Sequence, residues 1–352
     1  MEYYIKDDQD IKIIKSKVYN SVMDKKTGFF ARWGKTQDED PEFCEFGPEI
    51  LDIEISTGGC QNSCAWCYKG NTNRAPTNMT LETFKSIIDK FPKTLGQVAI
   101  GITSIQTNPD FIGMLEYCRS LNIVPNFTLS GLDLTPEIAE KCSKLVGALA
   151  VSVYQTDKNV GYNAIKCFTD LGVKQTNMHL LIAEETIPFV YEVLEDIRSD
   201  PRLKNLNAVV FLTYKPKGRA HYTPPKLETY TGLVKYCLDR QMRFGFDSCG
   251  AGRFIKSLDS IDLTDDQKNQ LLMCAESCES DLFSSYVNVK GEFWHCSFTE
   301  NMPGQTPVNV LEAKDFLKDV WYSPSVVAFR KRLLGTVVDG CRHCPIFSEL
   351  EV

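Results

Sequence analysis

Long apolar runs and an excess of positive charge are both missing from this sequence of 352 residues. No stretch reaches the roughly 18 apolar residues that a transmembrane helix needs, so we expect no membrane span. The amino terminus, Met1–Asp8, contains no apolar core, and we therefore expect no signal peptide. The formal net charge of −7 argues against a nucleic acid as the main partner, because binding to the phosphate backbone requires a basic face.

Histidine is scarce in this chain, with 4 residues, whereas cysteine is abundant, with 14. A lone histidine is more often structural than catalytic, and only His295 and His343 stand next to cysteines that could bind a metal. Without a secretory segment, metal binding in a reducing compartment explains the cysteines better than disulfides do. We therefore expect a cytoplasmic protein that binds a metal.

Three cysteines, Cys60, Cys64 and Cys67, form the pattern Cys-x3-Cys-x2-Cys. The preceding segment, Leu51–Thr57, alternates apolar and polar residues and is predicted to be a strand, followed by two glycines that permit a tight turn. Thiolates suit iron–sulfur clusters and zinc. Three thiolates would leave one iron of a [4Fe–4S] cluster without a protein ligand, and an open metal position is where a small molecule binds. A zinc site is the alternative, although zinc usually takes four protein ligands.

This cysteine pattern, with the aromatic residue Trp66 just before its last member, resembles the radical S-adenosylmethionine (radical SAM) superfamily. The resemblance implies that the open iron binds the amino and carboxylate groups of S-adenosylmethionine. It further implies that reductive cleavage of this cofactor yields a 5′-deoxyadenosyl radical, which abstracts hydrogen from a substrate. An external electron donor such as flavodoxin or ferredoxin is implied as well.

Strand and helix patterns alternate from Leu51 onward, which favours a parallel sheet with helices outside it. The predicted strands are Leu51–Thr57, Gln97–Thr103, Ile123–Leu129, Ala148–Tyr154, Lys174–Ile182 and Ala208–Thr213. The resemblance makes this an α/β fold, a partial (βα)6 TIM-like barrel followed by a small α+β iron–sulfur domain. By analogy with complete barrels, we expect the site at the carboxyl ends of the strands.

The ends of the predicted strands supply candidate cofactor-binding residues. In radical SAM enzymes the second strand usually ends in a Gly-Gly-Glu run that holds the methionine amino group. Here Gly101 is retained but the acidic residue is missing, so the hydroxyls of Thr103 and Ser104, or backbone carbonyls, could substitute. Ser130 and Ser152 end the third and fourth strands, where relatives place polar residues. For each of these single residues, an ordinary hydrogen bond at a strand end is an equally good alternative.

A second cysteine set lies near the carboxyl end of the chain, and its members are Cys278, Cys296, Cys341 and Cys344. Residues 285–296 are predicted to form a hairpin that turns at Lys290-Gly291 and brings the first two cysteines to one end. The Cys-x2-Cys pair would then complete four thiolates around a second [4Fe–4S] cluster.

The second set resembles the twitch domain, a shortened relative of the SPASM domain. The resemblance implies one auxiliary cluster that carries electrons or stabilises the fold, because four thiolates leave no open iron. Zinc is again the alternative. Cys249 or Cys274 could replace one of the four ligands, although a buried thiol is the ordinary role of such a residue.

Three regions are predicted along the chain. Residues 1–50 form an extension that packs on the barrel or covers its mouth, residues 51–215 form the barrel, and residues 216–352 contain a linker helix and the auxiliary-cluster domain. The Pro/Gly-rich segment Lys215–Lys226 marks the boundary. Its Pro-x-Gly-Arg-Ala core resembles the turn after the sixth strand of radical SAM enzymes with an extra cluster domain. Its cations either touch an anionic substrate or belong to a solvated linker.

These patterns together predict a radical SAM oxidoreductase or maturase. The expected reaction is hydrogen abstraction from an unactivated carbon, with the auxiliary cluster accepting the resulting electron, so that the substrate is oxidised or cross-linked. A peptide or protein side chain is the first expected substrate, and a small polar metabolite or nucleotide is the alternative. A non-catalytic iron–sulfur or zinc module is a more distant alternative, since it needs neither an open iron nor a barrel.

Overall fold

The structure, a computed structural model, describes residues 3–62, 64–219, 221–338 and 341–347. Its first element is an antiparallel sheet of the strands β1 (Tyr4–Asp7), β2 (Ile11–Lys15), β3 (Asn20–Asp24) and β4 (Phe30–Trp33). Burial alternates along β2 and β3, as expected for a sheet with one face against the protein and the other toward solvent.

The central sheet begins with β5 (Ile50–Glu54), after which the short strand β6 (Ser56–Thr57) pairs with β7 (Thr77–Asn78). The other strands predicted from the sequence follow, and they are β8 (Gln97–Gly101), β9 (Val124–Leu129), β10 (Leu149–Ser152), β11 (Thr176–Ile182) and β12 (Ala208–Thr213). They run parallel, in the spatial order β12-β11-β10-β9-β8-β5. All six predicted strands are confirmed.

Helices cover the outer face of this sheet, and they are α1 (Leu81–Ile88), α2 (Phe111–Ser120), α3 (Pro136–Ser143), α4 (Lys158–Asp170), α5 (Ile187–Ser199), α6 (Leu227–Asp239), α7 (Ala251–Leu258) and α8 (Asp265–Leu272). The predicted start of α3 is confirmed, since Thr135 accepts a hydrogen bond from the backbone N–H of Ile138 at 3.3 Å and Pro136 follows it. Among the helices of the described ranges, none is both long and apolar enough to cross a membrane.

The sheet extends beyond the predicted strands on both sides. The strand β13 (Phe244–Phe246) pairs with β12, and β14 (Ser284–Val287) pairs with β5, both in parallel. The strands β15 (Glu292–Trp294) and β16 (Val308–Asn309) then continue the sheet in antiparallel fashion. The part of the chain after the barrel therefore adds strands to the barrel's own sheet.

The predicted hairpin over residues 285–296 is confirmed by the antiparallel pairing of β14 with β15. Its turn contains Gly291, whose φ of +80° favours glycine. The last elements are α9 (Pro324–Leu334), β17 (Val337–Val338) and β18 (Cys341–Arg342). Sequence periodicity missed β13 because three residues are too few to show alternation.

The amino-terminal sheet packs where the barrel strands begin. Lys12 donates a hydrogen bond to the carbonyl of Leu95 at 2.7 Å, and Arg32 pairs with Glu49 at 3.1 Å and with Glu279. Leu95 and Glu49 precede β8 and β5, so this sheet lies at the amino ends of the strands, away from the carboxyl ends where a barrel site is expected. The predicted limits of the three regions stay a prediction.

Candidate metal centre and cofactor site

The first cysteine loop extends from β6 to β7, directly after the first barrel strand. Its base is held by backbone hydrogen bonds, among them one from Cys60 N to Thr72 O at 2.9 Å. Gly58 and Gly59 have φ values of +71° and +60°, and a Cβ at Gly58 would lie 2.8 Å from the carbonyl oxygen of Ala75. The two glycines are therefore required by the turn that the sequence predicted.

The structure brings the three predicted ligands Cys60, Cys64 and Cys67 together on this loop. All three are partly exposed, and the backbone N–H of Cys67 donates to the carbonyl of Cys64 at 3.2 Å. Burial and then the neighbouring thiols of Cys60 and Cys67 raise the pKa of Cys64 to about 11. The thiols thus lie within electrostatic range of one another.

Their spacing bears on which metal group would fit. Within the described ranges, no three cysteine, histidine or carboxylate side chains converge closely enough to hold a single metal ion. A [4Fe–4S] cluster is several atoms wide and holds its thiolates further apart than one ion does. The three loop thiols have the chemistry that either group needs, and their role as ligands stays a prediction.

The Pro-x-Gly-Arg segment binds the outside of this loop. The guanidinium of Arg219 donates to the carbonyls of Gly70 at 3.2 Å, of Asn71 at 2.9 Å and of Cys64. At Gly218, which has a φ of +85°, a Cβ would lie 2.2 Å from the carbonyl oxygen of Cys67. Only a glycine permits this close approach. Ala220, the end of the predicted Pro-x-Gly-Arg-Ala core, lies outside the described residues.

The same segment reaches the second cysteine set. Lys217 donates to the carbonyls of Ser297 at 3.1 Å and Glu300 at 2.9 Å, in the loop that follows Cys296. Lys215 pairs with Asp247 at 2.5 Å. The three cations of the segment therefore bind protein groups, and they no longer favour an anionic substrate or a solvated linker. Lys217 and Arg219 join the two cysteine loops, whereas Lys215 binds Asp247, which follows β13.

The two loops also touch through side chains. Tyr68, next to Cys67, stacks on Phe298 with ring centroids 4.4 Å apart. Lys69 pairs with Glu54 at 3.2 Å and with Glu300. Burial by itself would raise the pKa of Glu300, but the charge of Lys69 and its hydrogen bonds lower this pKa below its usual value. The contact between the loops is therefore a buried, charged and hydrogen-bonded junction.

Unpartnered polar groups collect at the carboxyl ends of β5 and β8. The hydroxyls of Ser56, Thr103 and Ser104 and the side-chain carbonyl of Asn78 are buried, and within the described chain they have no hydrogen-bond partner. An unsatisfied buried polar group costs about 1–3 kcal/mol. Such a group of atoms therefore suits a polar ligand, as predicted for Thr103 and Ser104.

Gly101 ends β8 beside these hydroxyls. It is exposed, and a Cβ there would meet only ordinary contacts, the nearest being the carbonyl oxygen of Ile53 at 3.6 Å. Protein packing therefore does not require this glycine, and its missing side chain leaves room at the strand end. Ser130 differs, because its hydroxyl accepts a hydrogen bond from the backbone of Leu132 at 3.4 Å, the ordinary alternative noted for it.

Trp66 lies in an aromatic group that the sequence did not reveal. Its ring centroid is 5.7 Å from that of Tyr154 and 6.3 Å from that of Tyr222. Tyr154 also interacts with the hydroxyl of Ser152 and with Cys64, and burial followed by the charge of Cys64 raises the pKa of Tyr154. The aromatic residue at the end of the fourth predicted strand was a usable signal for Tyr154, whereas nothing in the pattern marked Tyr222.

Two further titratable residues lie on the barrel strands. Asp52 is exposed although its neighbours Leu51 and Ile53 are buried in the core, so it points to the other face of β5. On β11, burial lowers the pKa of His179 to about 4, although Asp247 opposes this shift. His179 is therefore neutral near pH 7.

Three of the four predicted auxiliary ligands come together. After burial, which is the largest cause, Cys278 and Cys344 raise the pKa of Cys296, and Cys344 raises that of Cys278. Cys341 is buried on β18, where Arg342, Ser277 and Lys256 act on its thiol. Of the two alternative ligands, Cys274 is exposed just after α8, whereas Cys249 lines a pocket together with Cys278 and Cys344.

Comparison with known proteins bears on the fold. No family model matches the chain. The fold is similar to that of SuiB from Streptococcus suis, with a TM-score of 0.69 and 15% identity over 93% of this chain and 90% of SuiB. It is also similar to anSMEcpe, solved with bound AdoMet and a peptide, with a TM-score of 0.60 and 16% identity over 86% of this chain and 88% of that one.

A sequence relative is the mycofactocin maturase MftC of Mycobacterium tuberculosis, which is 27% identical over 95 residues. That match covers 27% of this chain and only 24% of MftC. The two structural matches, at 15% and 16% identity, show the fold alone. They confirm the predicted α/β fold, a TIM-like barrel followed by a C-terminal domain.

Proposed function

We propose that this protein is a radical SAM enzyme that modifies a peptide. One observation carries the proposal. The Cys60–Cys67 loop lies at the carboxyl end of a parallel barrel sheet and is joined to the second cysteine set through Tyr68, which stacks on Phe298 at 4.4 Å. Substrates of barrel enzymes bind at that end of the sheet. A metal group that starts the reaction and a second one that accepts an electron would therefore flank the same space.

The residues of the first loop fit a [4Fe–4S] cluster and S-adenosylmethionine. Cys60, Cys64 and Cys67 would hold three irons, and the unpartnered hydroxyls of Thr103 and Ser104 would bind polar groups of the cofactor. When bound and reduced, this pair supplies a 5′-deoxyadenosyl radical for hydrogen abstraction. The required electron is proposed to come from a donor such as flavodoxin or ferredoxin in a reducing cytoplasm.

The chain's own contribution is placement and proton handling. Trp66, Tyr154 and Tyr222 form an aromatic wall beside the loop, which would exclude water from the reacting carbon. His179 on β11 stays neutral near pH 7, because burial lowers its pKa to about 4, so the proton that an oxidised substrate releases would pass to solvent and not stay on this ring. The second cysteine set would hold the auxiliary cluster that takes the accompanying electron.

A peptide is the proposed substrate because of what the similar structures bind. SuiB has been solved with its precursor peptide SuiA, and anSMEcpe has been solved with a peptide and AdoMet. The cations that had pointed to an anionic metabolite, Lys215, Lys217 and Arg219, are engaged with protein groups. The oxidised or cross-linked product would be two hydrogens lighter than the peptide.

The test uses anaerobically reconstituted protein with dithionite and S-adenosylmethionine. We expect 5′-deoxyadenosine, about eight irons per chain, and a fall to about four irons in the Cys60/Cys64/Cys67→Ala protein. Substitution of the buried helical Cys142 by alanine serves as the matched control and should change neither value. If the iron-loaded protein forms no 5′-deoxyadenosine, the proposed function is wrong.

The peptide assignment is tested separately by co-expression with each short peptide encoded beside the enzyme. The expected result is a loss of two hydrogens from one peptide, detected by mass spectrometry, in cells with the wild-type enzyme. Cells with the Cys60/Cys64/Cys67→Ala protein should leave the same peptide unchanged. If every peptide stayed unchanged and a small metabolite stimulated 5′-deoxyadenosine formation, the peptide assignment would be wrong. A small polar metabolite would then be the substrate class.

A further inference from the structure

A pocket near the carboxyl end of the chain collects cysteines from separate segments. Cys249 lies in a one-turn helix after β13, Cys278 precedes β14 and Cys344 follows β18. All three line the same pocket. Cys296 belongs to the group as well, because its thiol and that of Cys278 raise the pKa of Cys249, after burial as the largest cause. Four thiols therefore converge on one place.

We infer that Cys249 is the fourth ligand of the auxiliary cluster, together with Cys278, Cys296 and Cys344, and that Cys341 is not a ligand. The inference rests on the proposed function, since it assumes that the second cysteine set binds a [4Fe–4S] cluster. It changes the ligand set from the one that the Cys-x2-Cys spacing suggests. One ligand then comes from the end of the last parallel strand rather than from the carboxyl-terminal pair.

Cys341 lies on β18 next to Arg342, whose Nε donates to the carbonyl of Cys278 at 2.8 Å, but Cys341 is not among the described residues that line the pocket. It is only 3% exposed, and its sulfur lies 3.7 Å from the carbonyl oxygen of Arg342. Ser277 and Lys256 are the other groups that act on its thiol. Among the described residues that line the pocket, Cys344 is present and Cys341 is not. The two cysteines of the carboxyl-terminal pair therefore have different surroundings.

The turn that carries Cys249 has a rigid support. Asp247 accepts hydrogen bonds from the backbone N–H of Thr213 at 3.2 Å and from its hydroxyl at 2.9 Å. Gly250 packs so closely that a Cβ would lie 2.3 Å from the hydroxyl oxygen of Tyr230. The position of Cys249 is thus set by contacts with β12 and α6, and a ligand held in advance loses little entropy on binding.

The charges around the pocket suit a thiolate and an anionic cluster. Lys215 is 5% exposed and interacts with the thiol of Cys249, which it helps to ionise. Arg253 lines the pocket and is 6% exposed, yet its Nε and Nη1 have no hydrogen-bond partner among the described residues. A buried guanidinium without a partner points to an anionic group in the pocket. On ligation, the thiol of Cys249 would release its proton to solvent and its sulfur would bond to iron.

The experiment isolates the second cluster by using the Cys60/Cys64/Cys67→Ala protein as background. In this background we expect about four irons and the electron paramagnetic resonance (EPR) spectrum of a reduced [4Fe–4S] cluster. Adding Cys249→Ala should remove the cluster or open one iron, and an opened iron shows as a spectrum that shifts when imidazole is added. Adding Cys341→Ala should leave both the iron content and the spectrum unchanged. Adding Cys237→Ala, a buried cysteine on α6, is the matched control.

Conservative variants keep the test decisive if an alanine variant does not fold. Cys249→Ser should retain iron but shift the EPR spectrum, because oxygen replaces sulfur, whereas Cys341→Ser should not. A changed spectrum in Cys341→Ser, or an unchanged one in Cys249→Ser, would overturn the inference, and so would a background protein without iron. For the proposed function, the separate readout is S-adenosylmethionine cleavage by the protein with both cysteine sets intact. Absence of that cleavage in the iron-loaded wild type would count against the proposed function alone.

Discussion

The two cysteine sets are built in opposite ways. The first set lies on one short loop between two paired strands, and its members are neighbours in the sequence. The second set collects its thiols from the loop before β14, the loop after β15, and β18 with the residues that follow it. A local motif can be recognised in the sequence because the short spacing between its residues keeps their side chains close together. A dispersed site becomes visible only when the chain has folded.

The comparison extends to exposure. The thiols of Cys60, Cys64 and Cys67 are all partly exposed, beside buried hydroxyls that lack partners. Three of the four predicted thiols of the second set, those of Cys278, Cys296 and Cys344, are partly exposed as well, and Cys341 is buried. The two sets therefore differ less in the exposure of their thiols than in their neighbours, which are unpartnered hydroxyls at the first set and the buried cation Arg253 at the second.

The largest expected effect separates the two sets directly. Cys64→Ala should abolish 5′-deoxyadenosine formation, because an open, reducible cluster needs all three thiolates of the first loop. Cys296→Ala should retain that activity and stop the substrate from reaching its final oxidation state. Liquid chromatography with mass spectrometry measures both products. If Cys296→Ala also failed to form 5′-deoxyadenosine while binding iron at the first loop, the assignment of separate roles to the two cysteine sets would be wrong.

The next effect concerns the segment that joins the sets. Arg219→Ala removes hydrogen bonds to the carbonyls of Gly70, Asn71 and Cys64, and hydrogen bonds from charged groups contribute roughly 1.5–3 kcal/mol each. We expect the first cluster to lose iron to a chelator roughly tenfold faster or more, since about 1.4 kcal/mol corresponds to a factor of ten. Lys217→Ala should instead accelerate iron loss from the second set.

Exposed Arg198 provides the control for these variants, because its pairing with Glu195 lies on the surface of α5. Arg198→Ala should leave both rates unchanged. The assay follows iron release anaerobically with a coloured chelator in proteins that keep only one cysteine set. Equal effects of Arg219→Ala and Lys217→Ala on both sets would mean that the segment stabilises the whole protein and not each loop separately.

Much of this fold could be predicted from the sequence because its strands are long and regular. The six predicted barrel strands, which lie between Ile50 and Thr213, show alternation or apolar runs. The glycines before Cys60 predict a turn. The short strand β13 could not be predicted, nor could the continuation of the sheet through β14. Pairing between strands that lie far apart in the chain leaves no local signal.

The candidate site could likewise be predicted only in part from the sequence. All three cysteines of the first loop could be identified from the sequence. The partners of Arg219 and Lys217 could not, because they are backbone carbonyls, which every residue has. The Cys341-x2-Cys344 pair was the obvious ligand pair by spacing, yet its two members have different surroundings. Cys249 was left as an alternative because the sequence does not show that Lys215 and Cys278, which are distant from it along the chain, lie close to it in the fold.

A smaller effect is expected at the hydroxyls beside the first loop. Thr103→Val and Ser104→Ala should each raise the Kd for S-adenosylmethionine roughly fivefold to tenfold, as expected for a lost hydrogen bond of about 1 kcal/mol. Without the cofactor, the same variants should be as stable as the wild type or slightly more stable, since each removes a buried group without a described partner.

Thr169→Val is the matched control for these hydroxyl variants. Its hydroxyl on α4 already donates to the carbonyl of Ile165 at 2.9 Å, so its loss should lower stability slightly and leave cofactor affinity unchanged. Equilibrium binding and thermal unfolding measure the two quantities on the same samples. Unchanged affinity in both Thr103→Val and Ser104→Ala would remove these residues from the cofactor site.

The effect expected to matter least for the reaction concerns His179, on the barrel strand β11. Burial lowers the pKa of His179 to about 4, from about 6.5 for a free side chain, so the folded state binds a proton less readily than the unfolded state. The free energy of unfolding should therefore fall as the pH falls from about 6.5 to about 4, by on the order of 1–3 kcal/mol, and level off below that range.

Anaerobic urea unfolding should show this loss in the wild type and not in His179→Gln. His221→Gln, at an exposed position, should behave like the wild type. Other groups titrate in the same range, so the quantity to compare is the difference in unfolding free energy between the wild type and His179→Gln. If that difference did not change with pH, the ring of His179 would be in contact with solvent and not buried.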